Sequence, residues 1–167
     1  DPLWSRGLGD VYKRQQLKEV VSKAEQLQQQ VRELQKENEQ LASKLANQQA
    51  GDVFKDPETI NGKTIIAAQV KVKDMNQLRQ LADQWKQKNI SDILVLANEQ
   101  EGKVSLLAAM TKESNEAGLK AGDLIKAIAP KVGGGGGGRP DMAQAGGKNP
   151  AGIPDALKAA KEWLAQQ

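Results

Sequence analysis

From Gln15 to Gln49 the apolar residues recur at alternating steps of three and four: Leu17, Val20, Ala24, Leu27, Val31, Leu34, Leu41 and Leu45, with Asn38 on the one remaining seam position. No Gly or Pro interrupts the stretch, and it is filled by Gln, Glu, Lys, Leu and Ala, all good helix formers. The pattern is a heptad repeat, with Leu at most d sites, and it predicts a coiled-coil helix over residues 15–50 whose seam asks for a second helix. A long helix packed on its own domain is the plainer alternative. Asn38 at an a site fixes register and favours a parallel pair if the second helix comes from another copy, giving a homodimer; a helix upstream in a longer protein would serve equally. Residues 1–14 contain Pro2, Gly7 and Gly9 without a sustained period, and read as a non-native or disordered leader.

Ala50-Gly51-Asp52 is expected to end the helix, with Asp56-Pro57 and Asn61-Gly62 supplying turn chemistry before a globular part over 52–167. There the period changes. Thr64 to Lys73 alternates as a strand, with Ile66, Ala68, Val70 and Val72 on one face and Gln69, Lys71 and Lys73 on the other. Asp74 is placed to cap a helix carrying Met75, Leu78, Leu81, Ala82 and Trp85 on one side. Ile93 to Ala97 is a continuous apolar run, as a strand covered on both faces requires. Gly102 turns a hairpin into a strand from Val104 to Met110. A helix around Leu119 to Ala129 follows, and a last helix starts near Pro154 with Ile153, Leu157, Ala160 and Leu164 inward. The fold class is α/β: a long helix, then a small mixed α/β domain of order strand, helix, strand, strand, helix, glycine loop, helix.

Composition narrows the chemistry. Aromatic residues are 3% of the chain against 38% hydrophobic overall, so the core is aliphatic, and Trp85 and Trp163 on apolar helical faces are assigned to it. The chain has neither Cys nor His, which removes disulfides, thiolate nucleophiles, cysteine-rich zinc sites and the commonest general base. No stretch approaches the ~20 apolar residues of a membrane helix, so a cytoplasmic chain without membrane contact is expected. A formal charge of +3, from 24 basic and 21 acidic residues, is compatible with an anionic partner without demanding one.

Gly133, Gly134, Gly135, Gly136, Gly137 and Gly138 run consecutively into Arg139-Pro140. Glycine tracts are the ordinary material of flexible tethers. The flanks argue for constraint instead: Lys131-Val132 closes an apolar-faced helix, and Pro140 suits the start of a short helix through Ala145 that Gly146-Gly147 would end. Without side chains, such a loop approaches a backbone or a phosphate closely. The spacing Gly133, Gly135, Gly138 meets G-x-G-x-x-G trivially, with no strand leading in, and Arg139-Pro140 stands where a Walker loop needs Lys then Ser or Thr. Nucleotide hydrolysis has no support.

The stretch from Gly133 through Arg139-Pro140-Asp141-Met142-Ala143-Gln144-Ala145-Gly146-Gly147 to Lys148 resembles the glycine-rich signature of the DHH-associated domain in the form found at the C-terminus of alanyl-tRNA synthetases. The resemblance covers nearly all of residues 15–167. It implies a non-catalytic module that binds the elbow, or outer corner, of tRNA(Ala), supports aminoacylation and editing by a longer ligase, and contributes to self-association through its helix. It also implies no cofactor in this segment, with ATP and Mg serving the parent enzyme and Zn its editing domain. Candidate tRNA contacts are the glycine run 133–138, Arg139 and Lys148. Arg139 offers a planar guanidinium for phosphate or base. Lys71 and Lys73 project from one side of a strand and read first as a solvated strand end; Lys63, Lys112 and Lys131 cannot be ranked. A DHH phosphoesterase or nuclease is the rival family reading, weakened because Arg139 stands where its histidine would be. An association module without intrinsic RNA binding is the other.

Overall fold

The computed structural model describes residues 2–167. Helix α1 spans Pro2–Val53. It extends beyond the predicted ends in both directions. At the front, residues 2–14 are helical, where an irregular leader was expected: Gly7 and Gly9 weaken a helix by roughly 1 kcal/mol each without removing any of its hydrogen bonds, and Pro2 stands in the first turn, where its missing N–H breaks none. At the back, Gly51 stays helical and the chain leaves the helix only at Phe54, three residues before Pro57 forces extended backbone on Asp56. The chain divides into two compact units, residues 1–44 and 45–167.

In the second unit a six-stranded sheet has the order β1-β2-β3-β4-β6-β5. Its strands are β1 (Glu58–Ile60), β2 (Lys63–Val70), β3 (Ile93–Gln100), β4 (Lys103–Met110), β5 (Gly135–Gly138) and β6 (Met142–Gly147). Only β2 and β3 are parallel, joined by α2 (Met75–Lys88) in a right-length crossover; every other neighbour is antiparallel. After β4 come α3 (Lys112–Glu116), α4 (Ala121–Ile128) and a 3-10 turn over Ala129–Val132, and α5 (Ile153–Ala165) closes the chain.

The sequence explains most of this directly. The Asp74 side chain accepts the Gln77 N–H at 2.9 Å, which starts α2, and its apolar stripe Leu78, Leu81, Ala82 and Trp85 is buried. Glu101 and Gly102 both take positive φ, 51° and 75°, the backbone of a tight hairpin between β3 and β4. Asn61-Gly62, with φ of 51° and 75°, makes the same turn between β2 and β1, a strand too short for its period to be seen in sequence.

Two aliphatic cores lie on the two faces of the sheet. Ile66, Val70, Val72, Leu94, Leu96 and Leu107 pack with Phe54 under α2, while Ile65, Val95, Leu106, Ile125, Ile128 and Leu164 pack under α4 and α5. β2 therefore buries both faces, not the single face its alternation suggested, and Ala68 is only half-buried. In α5, Ile153, Ala156, Ala160 and Leu164 are buried and Leu157 half-buried. Trp85 is wholly buried, with its Nε1 donating to Ser91 Oγ at 2.7 Å; Trp163 is half-buried against the other core. Asn98, buried at the far end of β3, clips the chain leaving β2: its Oδ1 accepts the Val72 N–H at 3.0 Å and its Nδ2 donates to the Val72 carbonyl at 3.0 Å.

Two sequence expectations fail around the glycine run. Its last four residues, Gly135–Gly138, form an edge strand, β5, where a loop was expected over 133–138, and Met142–Gly147 is strand β6, where a short helix from Pro140 was expected. The reason is local: Ala143 and Ala145 are buried beneath α4 while Gln144 faces the other side, a period-2 pattern that the helix signals of Pro140 and Gly146-Gly147 disguised.

Candidate functional site

The glycine strand is held at both ends by main-chain bonds. The 3-10 turn after α4 stops at Gly133, in the left-handed region with φ 64°, and the Gly134 N–H returns to the Ala129 carbonyl at 3.1 Å. The Val132 carbonyl accepts both the Lys148 and Asn149 N–H groups at 3.0 Å, tying the exit of β6 beside the entrance of β5. At the other end the Arg139 N–H donates to the Met142 carbonyl at 2.9 Å, closing a four-residue turn in which Pro140 takes the second position it favours. The Pro140 carbonyl accepts the Ala121 N–H at 2.9 Å, fixing this turn to the start of α4.

Alternate glycines have different reasons to be glycine. A Cβ on Gly134 or Gly136 would overlap the carbonyl oxygen of Gly146 or Gln144, and one on Gly138 would stand 2.6 Å from Ala143 Cα. Gly135 and Gly137 face open space. The strand thus presses its backbone against β6 on one side. On the other it presents peptide groups with no side chain above them.

The predicted cations separate into two groups. Arg139 is 84% exposed, and its Nε lies 3.8 Å from Asp141 Oδ1, whose partner oxygen is 3.6 Å from Lys86 Nζ. Lys148 stands at the opposite end of the glycine strand, roughly 20 Å of extended chain away. Sheet register then places Lys71 and Lys73 at the Lys148 end. Val70 pairs with Asn98, Asn98 with Ser105, and Ser105 with Gly146, so the exit of β2, the turn into β4 and the exit of β6 share one edge of the molecule. All three lysines are exposed.

Sequence reasoning missed two residues here. Lys103, the first residue of β4, stands at the same end. Together with Ser105, Gly133, Gly134, Gly146 and Lys148 it lines a depression of ≈ 370 Å³. On the α2 side of the sheet, Arg79 donates to Gln144 Oε1 at 3.0 Å beside the glycine strand. The position of Lys103 follows from Gly102 and the hairpin, but its neighbourhood with Lys148 needed the β4–β6 pairing, which a helical reading of residues 142–147 hides. Among the described residues no three His, Cys, Asp or Glu side chains gather as a metal-binding group, and no helix is long and apolar enough to cross a membrane.

The heptad positions of α1 are exposed among the described residues: Leu17 by 64%, Leu27 by 61% and Leu34 by 58%, with Val20, Ala24, Val31, Asn38, Leu41 and Leu45 likewise on the surface. They form a stripe of the kind a second helix covers.

Comparison with known proteins agrees with the geometry. The family model described as the DHHA1 domain matches residues 62–166. The alanine–tRNA ligase of Enterococcus faecalis is 77% identical over 158 residues, covering 95% of this chain and 18% of that protein. That of Ligilactobacillus salivarius is 61% identical over 160 residues, again covering 95% of this chain and 18% of the relative. The chain therefore spans less than a fifth of the length of these ligases. Among solved structures, the C-Ala domain from Aquifex aeolicus alanyl-tRNA synthetase superposes with a TM-score of 0.61 at 31% identity, over 66% of this chain and 98% of that one. A family match over the sheet domain and a C-Ala neighbour covered almost end to end lead to one assignment: the chain belongs to the DHHA1 domain family, as the C-terminal domain of alanyl-tRNA synthetases.

Proposed function

We propose that this chain is a tRNA-holding module, docking the elbow of tRNA(Ala) so that aminoacylation and editing centres elsewhere in a longer alanine–tRNA ligase act on one bound molecule. The observation that carries the reading is the glycine edge strand, a side-chain-free backbone surface bounded by Arg139 at one end and Lys148 at the other. Such a surface suits a sugar-phosphate backbone, because shape and phosphate contacts dominate recognition of folded RNA. ATP, magnesium and the editing zinc belong, on this reading, to the other domains, and the module works in the cytoplasm with them. A filter-binding salt titration tests it. Affinity for tRNA should fall with salt and exceed that for an unstructured RNA of equal length; equal affinity for the two removes elbow recognition.

A second role rests on a separate observation, the exposed seam of α1. That stripe supports association, either with another copy or with a helix of the parent enzyme.

A further inference from the structure

We infer that the lysine end of the sheet, and not the Arg139 end, takes the phosphates of the folded RNA, with Lys103 as a central contact. The inference rests on the tRNA reading and goes beyond it by fixing which surface meets the RNA.

Availability of charge comes first. Among the described residues no carboxylate lies within ion-pair distance of Lys71, Lys73, Lys103 or Lys148, whereas Arg139 already faces Asp141. Asp74, next to Lys73, is engaged by the Gln77 N–H as the cap of α2. Glu99 and Glu101 of the β3–β4 turn stand at this end as well, but neither is paired with a lysine among the described residues, so a phosphate meeting these ammonium groups breaks no ion pair, while one meeting Arg139 competes with a carboxylate already in place.

Spacing points the same way. β2, β3, β4 and β6 are successive neighbours, and at about 4.8 Å per strand the lysines spread over roughly 14 Å. Duplex nucleic acid carries one negative charge per ~1.7 Å of axis, so a row of that length meets several phosphates at once.

The ground between the lysines is also suited to close approach. The depression between Lys103 and Lys148 is lined by Val104, Ser105 and glycines at 133, 134, 146 and 147, and along the glycines no side chain keeps a phosphate oxygen from the backbone. Finally, the positions are rigid. The buried Asn98 amide holds Val72 from both its N–H and its carbonyl, which sets Lys71 and Lys73 on either side, and the Val132 carbonyl holds the Lys148 N–H. Anchored backbones lose less freedom when their side chains engage a partner.

The test is a salt titration of tRNA binding by the whole chain and by three variants, Lys103→Ala, Lys148→Ala and Arg139→Ala, each checked for unchanged tryptophan emission. Each lysine variant should lower the log-log salt slope by about 0.7 to 0.9, and affinity at 0.1 M salt by about five- to eightfold, that slope taken over one decade of salt. Arg139→Ala should lose less than twofold. A wild-type slope after Lys103→Ala, or a larger loss from Arg139→Ala than from either lysine variant, overturns the inference and leaves tRNA binding standing. Equal binding of tRNA and unstructured RNA sinks elbow recognition, while the ranking of the lysines above Arg139 would still uphold the phosphate surface. Absence of any salt-dependent RNA binding overturns both.

Discussion

Gly136→Ala and Gly137→Ala are the same chemical change made one residue apart, yet they should act in opposite directions. At Gly136 the new Cβ would overlap the Gln144 carbonyl oxygen and stand 2.5 Å from Ala145 Cα, so β5 must move away from β6 to admit it. Overpacking of this kind costs about 1–3 kcal/mol, and each ladder hydrogen bond stretched open adds about 1 kcal/mol, for a loss on the order of 2–4 kcal/mol. At Gly137 nothing lies within 4 Å and the backbone is not in the left-handed region, so alanine fits without strain. Its effect there comes from the unfolded chain, which loses freedom, and amounts to about 0.4–1 kcal/mol of stabilisation. Urea unfolding followed by tryptophan emission reads both, because Trp85 is wholly buried in the core under α2. With a slope of about 1–3 kcal/mol per molar urea, the Gly136 midpoint should fall by roughly 1 M or more and the Gly137 midpoint hold or rise. Matching midpoints, or a lower one for Gly137→Ala, would refute the alternation on which the strand's placement rests.

Asn98→Leu should cost about 2–4 kcal/mol in the same titration, since it strips partners from the buried Val72 N–H and carbonyl. It should also weaken tRNA binding with no lysine changed; stability lost with full affinity retained would show that Lys71 and Lys73 need no fixed backbone. For α1, sedimentation of the whole chain and of a Leu27→Glu, Leu34→Glu variant tests the seam. Self-association that the variant abolishes supports pairing between copies, and a monomer in both cases leaves only a helix of the parent enzyme as the partner.

Parts of the molecule were legible where a residue's side chain states its environment. Asp74 followed by Met75, Leu78, Leu81 and Trp85 shows both the start and the buried face of α2, and the unbroken run from Ile93 to Ala97 can only be satisfied between two layers. Turn residues with an obligatory backbone, Gly62 and Gly102, were equally plain. The glycine strand was not, because a run of identical residues with no side chains has no period, and its conformation is imposed by β6 and α4. Misreading Met142–Gly147 as a helix followed from taking Pro140 and Gly146-Gly147 as its start and stop; the burial of Ala143 and Ala145, which makes it a strand, is revealed only by the packing of α4. The candidate contacts suffered the same loss one level up. Lys71, Lys73 and Lys148 were visible singly, but their common edge, the presence of Lys103 among them and the separation of Arg139 all depend on strand register, a long-range property.

The main-chain ties around β5 also set an order of events during folding. Residues 133–138 have no side chains with which to nucleate anything, and their partner strand lies after them in the chain. The β3–β4 hairpin, joined by a tight turn and buried on both faces, has the most local contacts available and suits an early nucleus. β6 must then dock on β4, and α4 must cover the sheet, before the glycine segment has anything to lie against. The side-chain-free edge is therefore a late-folding element. Substitutions such as Gly136→Ala should accelerate unfolding while leaving the refolding rate nearly unchanged.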